Sequence, residues 1–182
     1  MQRRELQAAV AAPAVALLAL LALGACAPAL DWRETHPTGS GVVMMFPCRP
    51  DRQERTARVG DATLRLQLHS CRAAGATFSL AAADGAEPAQ VTSLLGTLRS
   101  QALVNLDGVA TEEPLPAIVG ATPNAQSALL RIDGRRADGR RVVAHAAFFV
   151  KGLRLYQATV LGADQTPGSE ALETFFGSIR LP

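Results

Sequence analysis

The chain has 182 residues, 18 of them basic and 16 acidic, for a formal charge of +2. A balance this even gives no electrostatic footprint for a nucleic-acid partner. Three cysteines in this length exclude a disulfide-dense mini-scaffold, and 48% hydrophobic residues supply enough apolar material for a packed core.

The first 25 residues read as a targeting segment. Arg3 and Arg4 precede an almost wholly apolar run from Ala8 to Leu23, 16 residues broken only by Pro13. A helix that spans a ~30 Å hydrocarbon core needs about 20 such residues. A charged start, a short apolar stretch and small residues before a cleavage point describe a signal peptide. Leu23-Gly24-Ala25-Cys26 resembles the lipobox of bacterial prolipoproteins, whose processing alkylates the cysteine thiol with diacylglycerol, cuts before it and acylates the new amine. The resemblance implies a mature chain beginning at a palmitate-type lipidated Cys26. Each buried methylene of such chains contributes about 0.8 kcal/mol to membrane attachment. Ala27, in place of an aspartate, favours the periplasmic face of the outer membrane by similarity to Gram-negative sorting rules.

Cleavage before Cys26 leaves 157 residues, the length of one domain. It also removes Arg3, Arg4 and Glu5, so 16 basic and 15 acidic residues remain. With Cys26 assigned to lipid, Cys48 and Cys71 form an even pair in an oxidising compartment, and the expectation is a disulfide. Such a bridge is worth about 3 kcal/mol in the chain-entropy account. A competing reading takes Met44, Met45, Cys48, His69 and Cys71 as soft ligands for copper. Its spacing matches no Cys-x-x-Cys, haem-attachment or paired-histidine site, and no resident metal or cofactor is expected.

Residues 26 to 40 read as the lipidated cysteine and a tether, broken by Pro28, Pro37, Gly39 and Ser40. The 14 residues after Cys26 could reach about 50 Å fully extended. Trp32, the only tryptophan, either docks on the domain or sits exposed in the linker. A single domain is expected over 41–182. Val42 to Phe46 is a short strand stopped by Pro47 and Pro50, and Gln53 to Val59 alternates weakly. Gly60-Asp61 marks a two-residue hairpin. Leu64, Leu66 and Leu68 alternate with Arg65, Gln67 and His69, a half-buried strand with His69 on the solvent side. Gly75 turns the chain, and Phe78 and Leu80 continue the meander.

Residues 87 to 105 read as a helix, with Pro88 in its first turn and Val91, Leu94, Leu95, Leu98 and Ala102 along one stripe. Residues 107 to 124 read as a proline-rich loop containing the acidic pair Glu112-Glu113. Ser127 to Asp133, Arg141 to Val150 and Leu153 to Leu161 read as three strands joined at Asp138-Gly139 and Lys151-Gly152. Val142-Val143 and Phe148-Phe149 place apolar groups on both faces, which requires cover on both sides of the sheet. A last helix starts near Thr166-Pro167, buries Ala171, Leu172, Phe175 and Phe176, and ends at Gly177 before a short closing strand. The fold class expected is α+β: an antiparallel sheet of about six to seven strands packed with two main helices.

This layout resembles the PsbP-like fold, through the opening Val42-Val43-Met44-Met45-Phe46-Pro47 and the closing Glu173-Thr174-Phe175-Phe176-Gly177-Ser178-Ile179. It is also similar to small proteobacterial envelope lipoproteins. The resemblance implies a non-enzymatic accessory factor attached to a membrane complex.

No residue pattern announces catalysis. There is no Gly-x-Ser-x-Gly elbow, no His-Glu-x-x-His and no glycine-rich phosphate loop. His36 falls in the tether and His145 in an apolar strand. The most distinctive surface feature is Arg131, Arg135, Arg136, Arg140 and Arg141 on one hairpin, diluted by Asp133 and Asp138. Guanidinium groups suit phosphate bidentately, so anionic lipid or an acidic envelope partner fits this patch. The reading is a monomeric, non-catalytic binding or assembly module facing the periplasm. The alternatives are a carrier of a small molecule, lipid or copper, and a hydrolase whose site assembles only in three dimensions.

Overall fold

A computed structural model describes residues 29–85, 87–163 and 167–182. The segment read as a signal peptide, Cys26 and Thr166 lie outside the described residues. The elements in chain order are β1 (Arg33–Thr35), β2 (Met44–Phe46), β3 (Asp51–Val59), β4 (Ala62–Ala73), β5 (Ala76–Asp84), α1 (Pro88–Asn105), β6 (Val109–Glu113), β7 (Ala128–Arg135), β8 (Arg141–Lys151), β9 (Arg154–Gly162) and α2 (Ser169–Gly177). The class is α+β, as expected. Seven strands form one sheet in the order β3-β4-β5-β9-β8-β7-β6, and β1 and β2 pair separately. Every pairing between these strands is antiparallel.

The sheet is two meanders sewn together. Strands β3 to β5 follow one another through tight turns, and so do β7 to β9. The seam is β5 against β9, from Thr77–Leu161 to Asp84–Arg154. Sequence dictates the turns: Gly60, Gly75, Gly139 and Gly152 all carry positive φ, which costs glycine no Cβ clash. At the β4–β5 turn the demand falls on two residues, and Ala74 also sits in the left-handed region at φ 47°.

The two faces carry separate cores. On one face α1 lays Val91, Leu94 and Leu95 against Leu130, Ile132, Phe148 and Leu155. On the other, β1, β2 and α2 cover Phe78, Phe149, Tyr156 and Val160. Phe175 of α2 meets Phe46 and Phe78 edge-on, at centroid distances of 5.4 and 5.3 Å. Such pairs add about 0.5–1.5 kcal/mol beyond the area they bury. Both cores are built from residues of the same seven-stranded sheet, one on each of its faces. Among the described residues no helix is long and apolar enough to cross a membrane.

Four sequence expectations change. Part of the segment read as a tether is structured: Arg33–Thr35 pairs with Met44–Phe46, Trp32 sits edge-on to Phe78 at 5.9 Å, and Tyr156 Oη donates to the Ser40 carbonyl at 2.9 Å. Its prolines and glycines bend the chain onto the sheet rather than releasing it. The loop read over 107–124 begins with β6, which pairs with β7 from Val109–Asp133 to Glu113–Leu129. His69 is buried rather than solvent-facing, because residues near Thr38 fold over it. The closing strand reduces to Arg180, bridged to Val43 on one side and Val119 on the other. Gly120 makes that closure possible, since a Cβ there would stand 1.9 Å from the Leu181 carbonyl oxygen.

Cys48 and Cys71 form a disulfide with Cα atoms 6.0 Å apart. It ties the loop after β2 to the end of β4, fixing the covering layer to the sheet. Replacing both cysteines with alanine is expected to cost about 3 kcal/mol, read as a lower midpoint in urea; an unchanged midpoint would show the bridge to be energetically idle. Ala74→Gly removes left-handed strain and is expected to stabilise by about 0.5–1 kcal/mol after glycine's extra unfolded-state entropy. Differential scanning calorimetry checks this, and a lower melting temperature would contradict the turn geometry.

Candidate functional site

The arginines predicted on one hairpin divide into two groups. Arg131 lies mid-strand in β7 and is held by Asp133, with Nε–Oδ2 at 3.0 Å and Nη2–Oδ1 at 2.7 Å. Arg135, Arg136, Arg140 and Arg141 cluster at the exposed tip. There Arg140 pairs with Asp138 at 3.2 Å, and Arg135 donates to the Gly139 carbonyl at 3.2 Å. Arg135 and Arg141 line a shallow pocket of about 230 Å³ with Asp107, Asp133, Gly134, Val142 and Val143. Exposed pairs contribute little to stability, of order 0–1 kcal/mol, so these side chains are available for another use.

Glu112 and Glu113 do not form a solvated pair in a loop. Residence in β6 sends them to different partners. Glu112 accepts from Arg99 of α1 at 3.3 Å. His145 Nδ1–H donates to Glu113 Oε2 at 2.8 Å across the intervening strand β7. A carboxylate that fixes an imidazole is two thirds of a nucleophile-activating arrangement. Here the His145 side chain is only 8% exposed. The pair therefore joins an edge strand to the middle of the sheet, and no local pattern announces it because the partners are 32 residues apart.

The other buried histidine, His69, lies on β4 opposite Arg52 of β3 and Leu80 of β5. Its Nε2 has no hydrogen-bond partner among the described residues. Burial pushes its pKa below the ordinary histidine value, the nearby Arg52 charge adds to this, and the Thr38 backbone works in the opposite direction. The soft-ligand set proposed from sequence loses its two thiolates, because both sulfurs are in the disulfide. Met44 is fully buried in the core while Met45 is only partly so. Among the described residues no group of three histidines, cysteines or carboxylates is gathered to hold a metal ion. Cys26, the predicted lipidation site, lies outside them.

With this geometry in hand, comparison with known proteins adds nothing: no family model and no curated protein matches the chain. The functional reading therefore rests on its own residues.

The buried His69 has a thermodynamic consequence. Its depressed native pKa means that the unfolded chain binds the proton more readily than the native one. Its stabilising contribution is thus present above the unfolded histidine value of about 6.5 and is lost as pH falls below it. His69→Gln is expected to flatten the stability profile below that pH relative to the wild type, measured by urea melts across the acid range. Parallel profiles for the two proteins would rule this out.

Proposed function

We propose that the chain is a non-catalytic, lipid-anchored module of the bacterial cell envelope. It is held through Cys26, faces the periplasm, and acts by binding or by supporting the assembly of a neighbour. The observation that carries this reading is the division of the three cysteines. Cys26 closes the lipobox Leu23-Gly24-Ala25-Cys26, and Cys48 and Cys71 are bonded to each other. A paired disulfide fits an oxidising compartment such as the periplasm, the compartment to which a lipoprotein signal delivers its cargo.

Three features support a binding role over turnover. The two buried histidines are each absorbed by packing, His145 against Glu113 and His69 beneath the Thr38 segment. Three of the surface depressions are shallow and lined by arginines, with Asp31, Asp107 and Asp133 beside them and neither buried histidine among their lining residues. The PsbP-like resemblance points the same way, toward accessory proteins attached to membrane complexes.

The anchor is testable in cells with an alkyne-bearing fatty acid. The wild-type chain is expected to take up the label and to sediment with membranes. Cys26→Ala is expected to lose the label and to leave the processed membrane fraction. Equal labelling of the two would place the acyl chain elsewhere and remove the reading.

A further inference from the structure

One end of the sheet brings together features that the sequence scatters. It holds the start of β3, the β4–β5 turn, the β7–β8 tip, the end of β9 and the start of β6, as the strand registers require. The chain also enters the domain here, since Asp31 N–H donates to the Pro47 carbonyl at 2.9 Å and Ala29 shares a depression with Arg49 and Arg72. Arg72 and Arg136 line the next depression along, with Ala74 and Gly75. Arg135 and Arg141 line the third. A row of guanidinium groups therefore runs from the entry of the chain to the hairpin tip.

These arginines are not spent on the protein's own carboxylates. Ion pairs hold Arg33, Arg131 and Arg140 at this end. Arg49, Arg72, Arg135, Arg136 and Arg141 are exposed and make no ion pair among the described residues. Among the described residues the acids here that lack an arginine partner are Asp51 and Asp107, so the described part of this end is net positive in a chain that is close to neutral overall.

The same end presents apolar side chains to solvent. Val104, at the close of α1, is 78% exposed and Val109, at the start of β6, 76%. They border the arginines, because Leu106 between them accepts the Arg135 N–H and Val109 lies opposite Asp133. Exposed apolar groups among cations suit the boundary between headgroups and acyl chains.

Position decides between partners. Only Ala27 and Pro28 separate Cys26 from Ala29, so three residue steps give a reach of at most about 11 Å. An acyl chain on Cys26 would hold this end within that distance of the bilayer.

We infer that the arginine end is the surface on which the domain seats against its own membrane, with the guanidinium groups on anionic phospholipid phosphates and Val104 and Val109 entering the headgroup layer. This rests on the lipid-anchor reading above. The opposite end, with the Gly60-Asp61 and Gly152 turns, then faces the periplasm. A basic residue at an anionic surface is worth about 1 kcal/mol, or about fivefold in population, so losing three costs the seated state about a hundredfold.

The test uses the mature lipoprotein reconstituted into vesicles of phosphatidylcholine alone or mixed with phosphatidylglycerol. An environment-sensitive fluorophore is attached through Ala137→Cys at the hairpin tip or through Asp61→Cys at the far end. The tip probe is expected to shift to the blue and to be quenched by lipid-borne quenchers in anionic vesicles only, while the far probe stays unchanged. High salt, or Arg135→Gln with Arg136→Gln and Arg141→Gln, is expected to abolish the response. Equal responses at the two ends, or a tip response indifferent to anionic lipid, overturn the inference. Flotation with pure phosphatidylcholine reports the anchor separately. If the protein floats but the probes respond alike, the anchor stands and the seating falls. If it does not float, the anchor reading falls, and seating is judged by flotation with anionic vesicles: supported if salt and the arginine changes abolish it, overturned if it is absent.

Discussion

Strand β8 sets the terms for everything around it. Nine consecutive residues, Val142 to Val150, are buried, so both of its faces must be covered. A strand in a two-layer sandwich alternates between core and water; this one cannot. The chain meets the demand by inserting α1 between β5 and β6 on one face, and by wrapping β1, β2 and α2 over the other. The meanders join at β5–β9, which leaves β8 one strand from the seam and three from the charged edge β3. Edge strand β3 carries Asp51, Arg52, Glu54, Arg55 and Arg58, a composition that discourages pairing with other chains.

Cover on the second face comes from segments that have little structure of their own. Three-residue strands and a nine-residue helix cannot persist in isolation. They are held by three long-range devices: the Cys48–Cys71 bridge, the bond from Tyr156 Oη to the Ser40 carbonyl, and Arg180, which bridges Val43 and Val119 and pairs with Glu34 at 2.6 Å. The cover shields Phe78 and Tyr156 from water and encloses His69. It also delivers the start of the domain to the arginine end, so the packing of this layer and the orientation proposed for the protein share one cause.

The elements with strong local signals were legible residue by residue. Pro88 and the Val91–Leu94–Leu95–Leu98 stripe predict a helix over 87–105, and the helix observed is Pro88–Asn105. The glycine turns and the alternation of Leu64, Leu66 and Leu68 give the first meander, and the doubled apolar pairs of β8 announce a sheet covered on both faces. Strand β6 was not legible. Val-Ala-Thr-Glu-Glu has no alternation that faces a core, and it is a strand only because β7 offers it a backbone ladder. The arginine patch was half legible: the hairpin showed its four tip residues, while Arg49 and Arg72 join them only through the sheet.

Local chemistry thus determined the helix, the turns, the central apolar strands and, by elimination, the pairing of Cys48 with Cys71. Each depends on residues near one another in the chain, or on a count. The tertiary structure alone decided the burial of His69, the bond between His145 and Glu113, the ordering of residues 29–40, and the gathering of the arginines beside the entry of the chain. These depend on which strands lie side by side, and strand order is fixed by the burial of two sheet faces at once, a condition that no single stretch of sequence can express.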